Sequence, residues 1–270
     1  LYNYDQQAAE GYLYGKWFDG LGVGGDLTYS FSEHSTYTWS DYEIELGLDG
    51  VEAFSNIISF SADARDGVRS ALDEWAKFSD LTFTEVTETP ELSGDLRISQ
   101  VNFDEWYSIS NDDTFQAAAF AFGPGNGSEL SGDAVFDVKW LNNNEGGQEW
   151  SKLLVMHEVG HSLGFNHTAD YAGYGDGTSA PSYLDTITNS VMSYDEGNDF
   201  PETIMPWDIE AAEYLYGSGS HNTGDNTYSF GPSDYIFESI ADAGGIDTLD
   251  FSVSNNVKMR VGHSDDRRNG

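Results

Sequence analysis

The chain contains no cysteine. That absence removes disulfide scaffolds and thiolate metal ligands from consideration, while leaving an extracellular life open. Basic residues are scarce, with 11 Lys+Arg against 47 Asp+Glu and a formal net charge of −36. A surface of that sign repels nucleic acid and anionic membranes, and neither is expected as a partner. Runs of 18 or more apolar residues are also missing, so no membrane-spanning helix is expected. Nor does the start at Leu1 carry a signal-peptide pattern, which reads as a processed or trimmed product. The acidity itself has two compatible readings: solvation in a salty medium that screens repulsion, or calcium coordination by some of the carboxylates.

What is present is enough for a large core. The 270 residues include 7 Trp, 16 Tyr and 16 Phe, which suits one large domain, alone or with a small extension. Residues 1–25 join an Ala/Gln/Glu stretch to a glycine-rich link and read as a peripheral helix and linker. LTYSF (27–31) alternates as a strand does. Val68, Leu72, Trp75 and Phe78 recur at helical spacing within residues 61–80, predicting an amphipathic helix with one buried face. LTFTEVT and DLRISQV follow as strands around a turn at 90–94, then AAAFAFGPGNG as an Ala/Phe strand ending at Pro-Gly. DAVFDVKW (133–140) reads as a further strand, and a helix is predicted from about Gln148 to Gly164. MPWDIEAAEYLYG carries proline near its start, acids in its first turn and glycine at its end, so it too should be helical. The composition changes after residue 217, where a boundary is placed between a main domain (26–217) and a Ser/Gly/Asn/Asp-rich region (218–270).

Three of the six histidines fall within HEVGHSLGFNH, residues 157–167. With 6 His, 19 Glu and 30 Gly in the chain, H-E-x-x-H-x-x-G-x-x-H arises by chance in roughly 2 of 100,000 such sequences. On a helix, His157 and His161 share one face a turn apart, a spacing that suits two ligands of one tetrahedral zinc. Glu158, beside the first ligand, has the position of a general base for a metal-bound water. His167 lies too far along for a straight helix to deliver it, so Gly164 must end the helix with a positive φ. Three neutral imidazoles with one open position favour one catalytic zinc over copper or nickel.

The same eleven residues, followed by a methionine in SVMSY (190–194), resemble the metzincin signature. Within that clan the chain resembles the serralysins, secreted bacterial zinc endopeptidases, through LTYSF, LDEWAKFSDLTFTEV, GDLRIS, AAAFAFGPG, LYGSGSHNTGDNTYSF and DAGGIDTLDFS. The resemblance implies an α+β metzincin catalytic domain: a twisted mixed sheet with an edge substrate-binding strand, two long helices, and an active-site helix ending at Gly164. The start of a calcium-binding β-roll would follow, truncated at Gly270. It implies a packed, non-ligating floor beneath the zinc at Met192. Tyr194 would be a further zinc ligand that swings away to stabilise the oxyanion, and Ala117, Ala118, Ala119, Phe120, Ala121 and Phe122 the edge that pairs with substrate. A structural calcium would take Asn222, Gly224, Asn226, Asp242, Gly244 and Asp247. Thr168 departs from the proline usual after the third histidine, and Asn222 and Asn226 from the residue types usual at the calcium loop. The function so implied is secreted, extracellular hydrolysis of internal peptide bonds of extended polypeptides by a monomer. The rival readings are a calcium-stabilised binding or adhesive module with a vestigial zinc site, and a zinc hydrolase of non-peptide amides.

Overall fold

The computed structural model describes residues 15–33, 57–104, 117–125, 130–143, 145–169, 183–195, 199–232 and 237–254. The peripheral helix expected near the start and the roll beyond residue 254 fall largely or wholly outside these. Five strands make one mixed sheet: β1 (Gly25–Phe31), β2 (Leu81–Glu85), β3 (Leu96–Val101), β4 (Ala119–Ala121) and β5 (Ala134–Asp137). Their order is β2-β1-β3-β5-β4. The first four in that order run parallel, with Tyr29 opposite Leu96 and Ile98 opposite Ala134, while β4 lies antiparallel on the edge with Ala119 opposite Phe136. An α+β architecture is therefore observed, as the sequence led us to expect.

Among the described residues, three principal helices accompany the sheet. Helix α1 (Ala62–Phe78) starts where the Ser61 hydroxyl accepts from the Ala64 N–H, and it buries Val68, Leu72, Trp75 and Phe78, the residues whose spacing predicted it. Helix α3 (Gln148–Ser162) lies against α1, with the Trp75 indole donating to the Met156 carbonyl at 3.1 Å and stacking on Phe165 at 4.9 Å. Helix α4 (Pro206–Tyr216) ends as foreseen at Gly217 (φ 81°), whose N–H bonds to Glu213.

One element differs from expectation. The run 133–140 is not a single strand: it pairs only over β5 and then coils into a short helix, α2 (Val138–Leu141). Asp137 causes the change, its carboxylate accepting the Lys139 N–H at 3.0 Å and capping the turn. All four residues of β5 are buried, as befits a strand inside the sheet.

Past Gly217 the chain stays tied to the same core through an antiparallel bridge from Ser218 to Ser79 and an Asp80 N–H bond to the Gly217 carbonyl. Two short strands, β6 (Thr227–Ser229) and β7 (Thr248–Asp250), then pair in parallel, with Phe230 stacked on Phe251 at 4.7 Å.

Candidate metal centre

Helix α3 carries His157 and Glu158 into the interior, where each is nearly fully buried. The helix cannot continue past Ser162. Leu163 N–H bonds to the carbonyls of Val159 and Gly160, Phe165 N–H bonds back to Gly160 at 3.0 Å, and Gly164 adopts φ 101°. This is the reversal expected from the glycine, and it returns His167 toward the helix it has just left. The His167 Nε2 then lies 3.0 Å from that of His161 and 3.2 Å from that of His157.

Two of the rings are oriented through their other nitrogen. His157 Nδ1 meets the Val191 carbonyl at 2.8 Å and His161 Nδ1 meets the Phe165 carbonyl at 2.7 Å. A carbonyl only accepts, so each Nδ1 carries the proton and each Nε2 presents a lone pair to the common centre. Burial drives the histidine pKa values down: to about 4 at His157, well below normal at His161, and to about 3 at His167. The rings are thus neutral ligands near pH 7. A tetrahedral zinc at about 2.0–2.1 Å from each nitrogen needs ligand separations of about 3.3 Å. The observed spacings fit that ion, and among the described residues these three form the one group of three or more His, Asp or Glu side chains close enough together to share a metal.

Glu158 has a buried carboxylate oxygen, Oε2, with no hydrogen-bond partner. Burial alone pushes its carboxyl up to about 8. A desolvated acid with a spare oxygen beside a ligand cluster is poised to exchange a proton.

Further residues surround the cluster. A Cβ on Gly160 would sit 2.5 Å from the Met192 Sδ, so the fully buried methionine lies against the helix backbone one residue before His161. The exposed Tyr194 sets its ring 4.4 Å from that of His167 and 5.6 Å from that of His157. Thr168 donates to the buried Asp185, so the non-proline residue there gains a partner across the loop.

Sequence reasoning missed Asp208. Its fully buried carboxylate accepts from the Ser190 hydroxyl (2.6 Å) and from the N–H groups of Val191 and Met205 (2.8 Å each). It thereby pins the residue whose carbonyl orients His157. In the sequence Asp208 shows only as an acid in the first turn of a helix; nothing local marks its reach to Val191.

At the sheet edge, the Ala118 carbonyl bonds Asp137 N–H, and Phe122 bonds Asp133 and Gly132 through its N–H and carbonyl. By the two-residue period, Ala119 and Ala121 turn their backbone groups away from β5. The calcium candidates are not brought to the histidines and form a separate junction beside β6 and β7. There Asn226 N–H bonds to Asp247, Gly244 N–H and the Tyr228 hydroxyl bond to Asp242, and the Asn222 amide donates to Tyr228 and Ala241.

Comparison with known proteins agrees with this geometry. Residues 51–173 match the matrixin family, Peptidase_M10. Serralysin G of Dickeya chrysanthemi is 31% identical over 84% of this chain, and Metallopeptidase AprA of Pseudomonas marginalis 31% over 90%. Serralysin C of Dickeya chrysanthemi is 28% identical over 90%. This chain is a serralysin-like metzincin. The serralysin-like chain spans 52%, 54% and 58% of the lengths of those three relatives, about half to three-fifths of each.

Proposed function

We propose that this protein is a secreted zinc endopeptidase that cleaves internal peptide bonds of extended polypeptides. The observation that carries the reading is the convergence of the three imidazole Nε2 atoms, with the adjacent Glu158 keeping an unpartnered carboxylate oxygen. His157, His161 and His167 would hold a zinc ion, which would supply a Lewis acid to activate a water and polarise the scissile carbonyl.

The chain's own groups do the rest. Glu158 takes a proton from the attacking water and passes it to the leaving amine nitrogen. Burial raises its carboxyl to about 8, and a divalent cation held by the histidines would lower that value and leave it a base near neutral pH. Tyr194, beside His157 and His167, would be an additional residue to hold the metal at rest and would donate its hydroxyl to the developing oxyanion. Met192 serves as the apolar floor. The substrate adds antiparallel to residues 117–122, pairing with Ala119 and Ala121.

The catalytic unit is residues 26–217, and residues 218–270 begin a β-roll that a structural calcium reinforces. The carbonyls and carboxylates of Asn222, Gly224, Asn226, Asp242, Gly244 and Asp247 are hard donors on two loops, and Asn226 Oδ1 is buried without a partner. The protein works as an extracellular monomer.

The test is hydrolysis of an unstructured protein substrate by the parent and by Glu158→Ala, with zinc content determined for both. Cleavage by the parent, and a loss of several orders of magnitude in a zinc-loaded variant, is expected. Near-normal turnover by that variant removes Glu158 from the mechanism. An inert zinc-loaded parent defeats the endopeptidase reading.

A further inference from the structure

The end of α3 is held from outside the motif. An α-helix leaves its last carbonyls without intrahelical donors. Here those of Gly160 and His161 are met by the turn itself, through Phe165 N–H and Gly164 N–H. The next two are met by side chains far away in sequence. The Trp17 indole N–H donates to the Ser162 carbonyl at 2.9 Å, and the Tyr216 hydroxyl donates to the Leu163 carbonyl.

The two donors thus hold neighbouring carbonyls of one turn. The wrapping continues around them. Phe18 and Phe165 each meet the Tyr216 ring edge-on, at 6.3 and 6.5 Å. Gly22 N–H bonds to the carbonyls of Tyr214 and Leu215, tying the N-terminal segment to α4. Gly15 approaches so closely that a Cβ on Gly164 would overlap its carbonyl, and Pro124, just past the edge strand, bounds the same spot.

We infer that Trp17 and Tyr216 are positioning residues for the metal centre: together they clamp the turn between His161 and His167 and so fix where the third imidazole arrives. The inference rests on the zinc reading above. His161 and His167 lie within five residues of both clamped carbonyls, and Phe165, between them, also orients the His161 ring through its own carbonyl. Freedom at Ser162 and Leu163 is thus transmitted to two of three ligands, and outer-shell hydrogen bonds of this sort commonly govern metal affinity. The Tyr216 hydroxyl is fully buried, which pushes its pKa well above the ordinary phenol value and keeps it a donor at any working pH.

The experiment uses the full chain as parent, Trp17→Phe, Tyr216→Phe and the double variant. Tyr216→Phe keeps the ring packing and removes only the hydroxyl. Three readouts are taken: zinc affinity by competition with a chromophoric chelator, the visible spectrum of the cobalt(II)-substituted protein, and the melting temperature of the metal-free chain. Each single variant should bind zinc about 10-fold more weakly or worse and shift the cobalt spectrum. The double variant should lose less than the product of the two, because both donors restrain adjacent residues of the same turn. A lower metal-free melting temperature with unchanged zinc affinity and cobalt spectrum overturns the inference, making the pair stabilisers of the fold only. A folded parent that takes up no zinc overturns the zinc reading, and this inference falls with it.

Discussion

Replacing Asp208 with alanine should loosen both the fold and the metal centre. The carboxylate is fully buried and accepts three hydrogen bonds, from Ser190, Val191 and Met205. Hydrogen bonds to a charged acceptor contribute about 1.5–3 kcal/mol each, non-additively, and the variant leaves two backbone donors buried without partners. A cost of about 4 kcal/mol follows, which lowers the melting temperature of a domain this size by about 8–16 °C. The loss reaches the metal because Val191 also orients His157 through its carbonyl. Zinc affinity should fall by about 10- to 100-fold. Differential scanning calorimetry of the metal-free chain and a zinc competition titration measure the two effects separately. Asp208→Asn, which keeps one carbonyl oxygen, should lie between parent and alanine in both. If the alanine variant melts within about 3 °C of the parent and binds zinc equally well, the described network does not carry the energy assigned to it.

Burial raises the Glu158 pKa from 4.5 to about 8, so in the metal-free chain the folded state retains a proton that the unfolded state has released, and stability falls as pH rises through that window. The depressed histidines act oppositely, removing stability as pH drops below 6.5, so the metal-free chain should be most stable at about pH 6.5–7. Glu158→Gln should flatten the alkaline limb and steepen the acid limb above about pH 4.5, and an unchanged alkaline limb in its pH–stability profile would count against the assigned burial. Gly160→Ala should destabilise by about 1–3 kcal/mol through overlap with Met192, and Met192→Ala added to it should recover part of that loss in chemical denaturation. Because the chain carries a net charge of −36, its melting temperature should rise from low to about 1 M sodium chloride, as the screening length shrinks from about 30 to 3 Å. A flat response would mean that mutual repulsion does not limit its stability.

How much of this was legible depended on whether the deciding contact was local. Helix α1 announced itself because only one face is buried, so Val68, Leu72, Trp75 and Phe78 stand out at helical spacing. Helix α3 is buried along its whole second half, from Val155 to Gly160, and showed little apolar periodicity there; its histidine spacing revealed it instead. Gly164 was readable because the required reversal has few solutions. The break after β5 was not, because Asp137 acts as a cap only once the strand has placed it at the sheet's end. Asp208, Trp17 and Tyr216 were invisible for a different reason. Each serves a carbonyl or amide more than fifteen residues away, and no local pattern encodes such a pairing.

The placement of α4 has a bearing on timing. A chain that emerges from its N-terminus has all three histidines in hand some forty residues before Asp208 and fifty before Tyr216. Until that last helix docks, Val191 is not pinned and the Leu163 carbonyl has no phenol to meet. The ligands are therefore made early, while the framework that aligns them is made late. A nascent chain thus carries its three imidazoles well before it has the contacts that hold them in register.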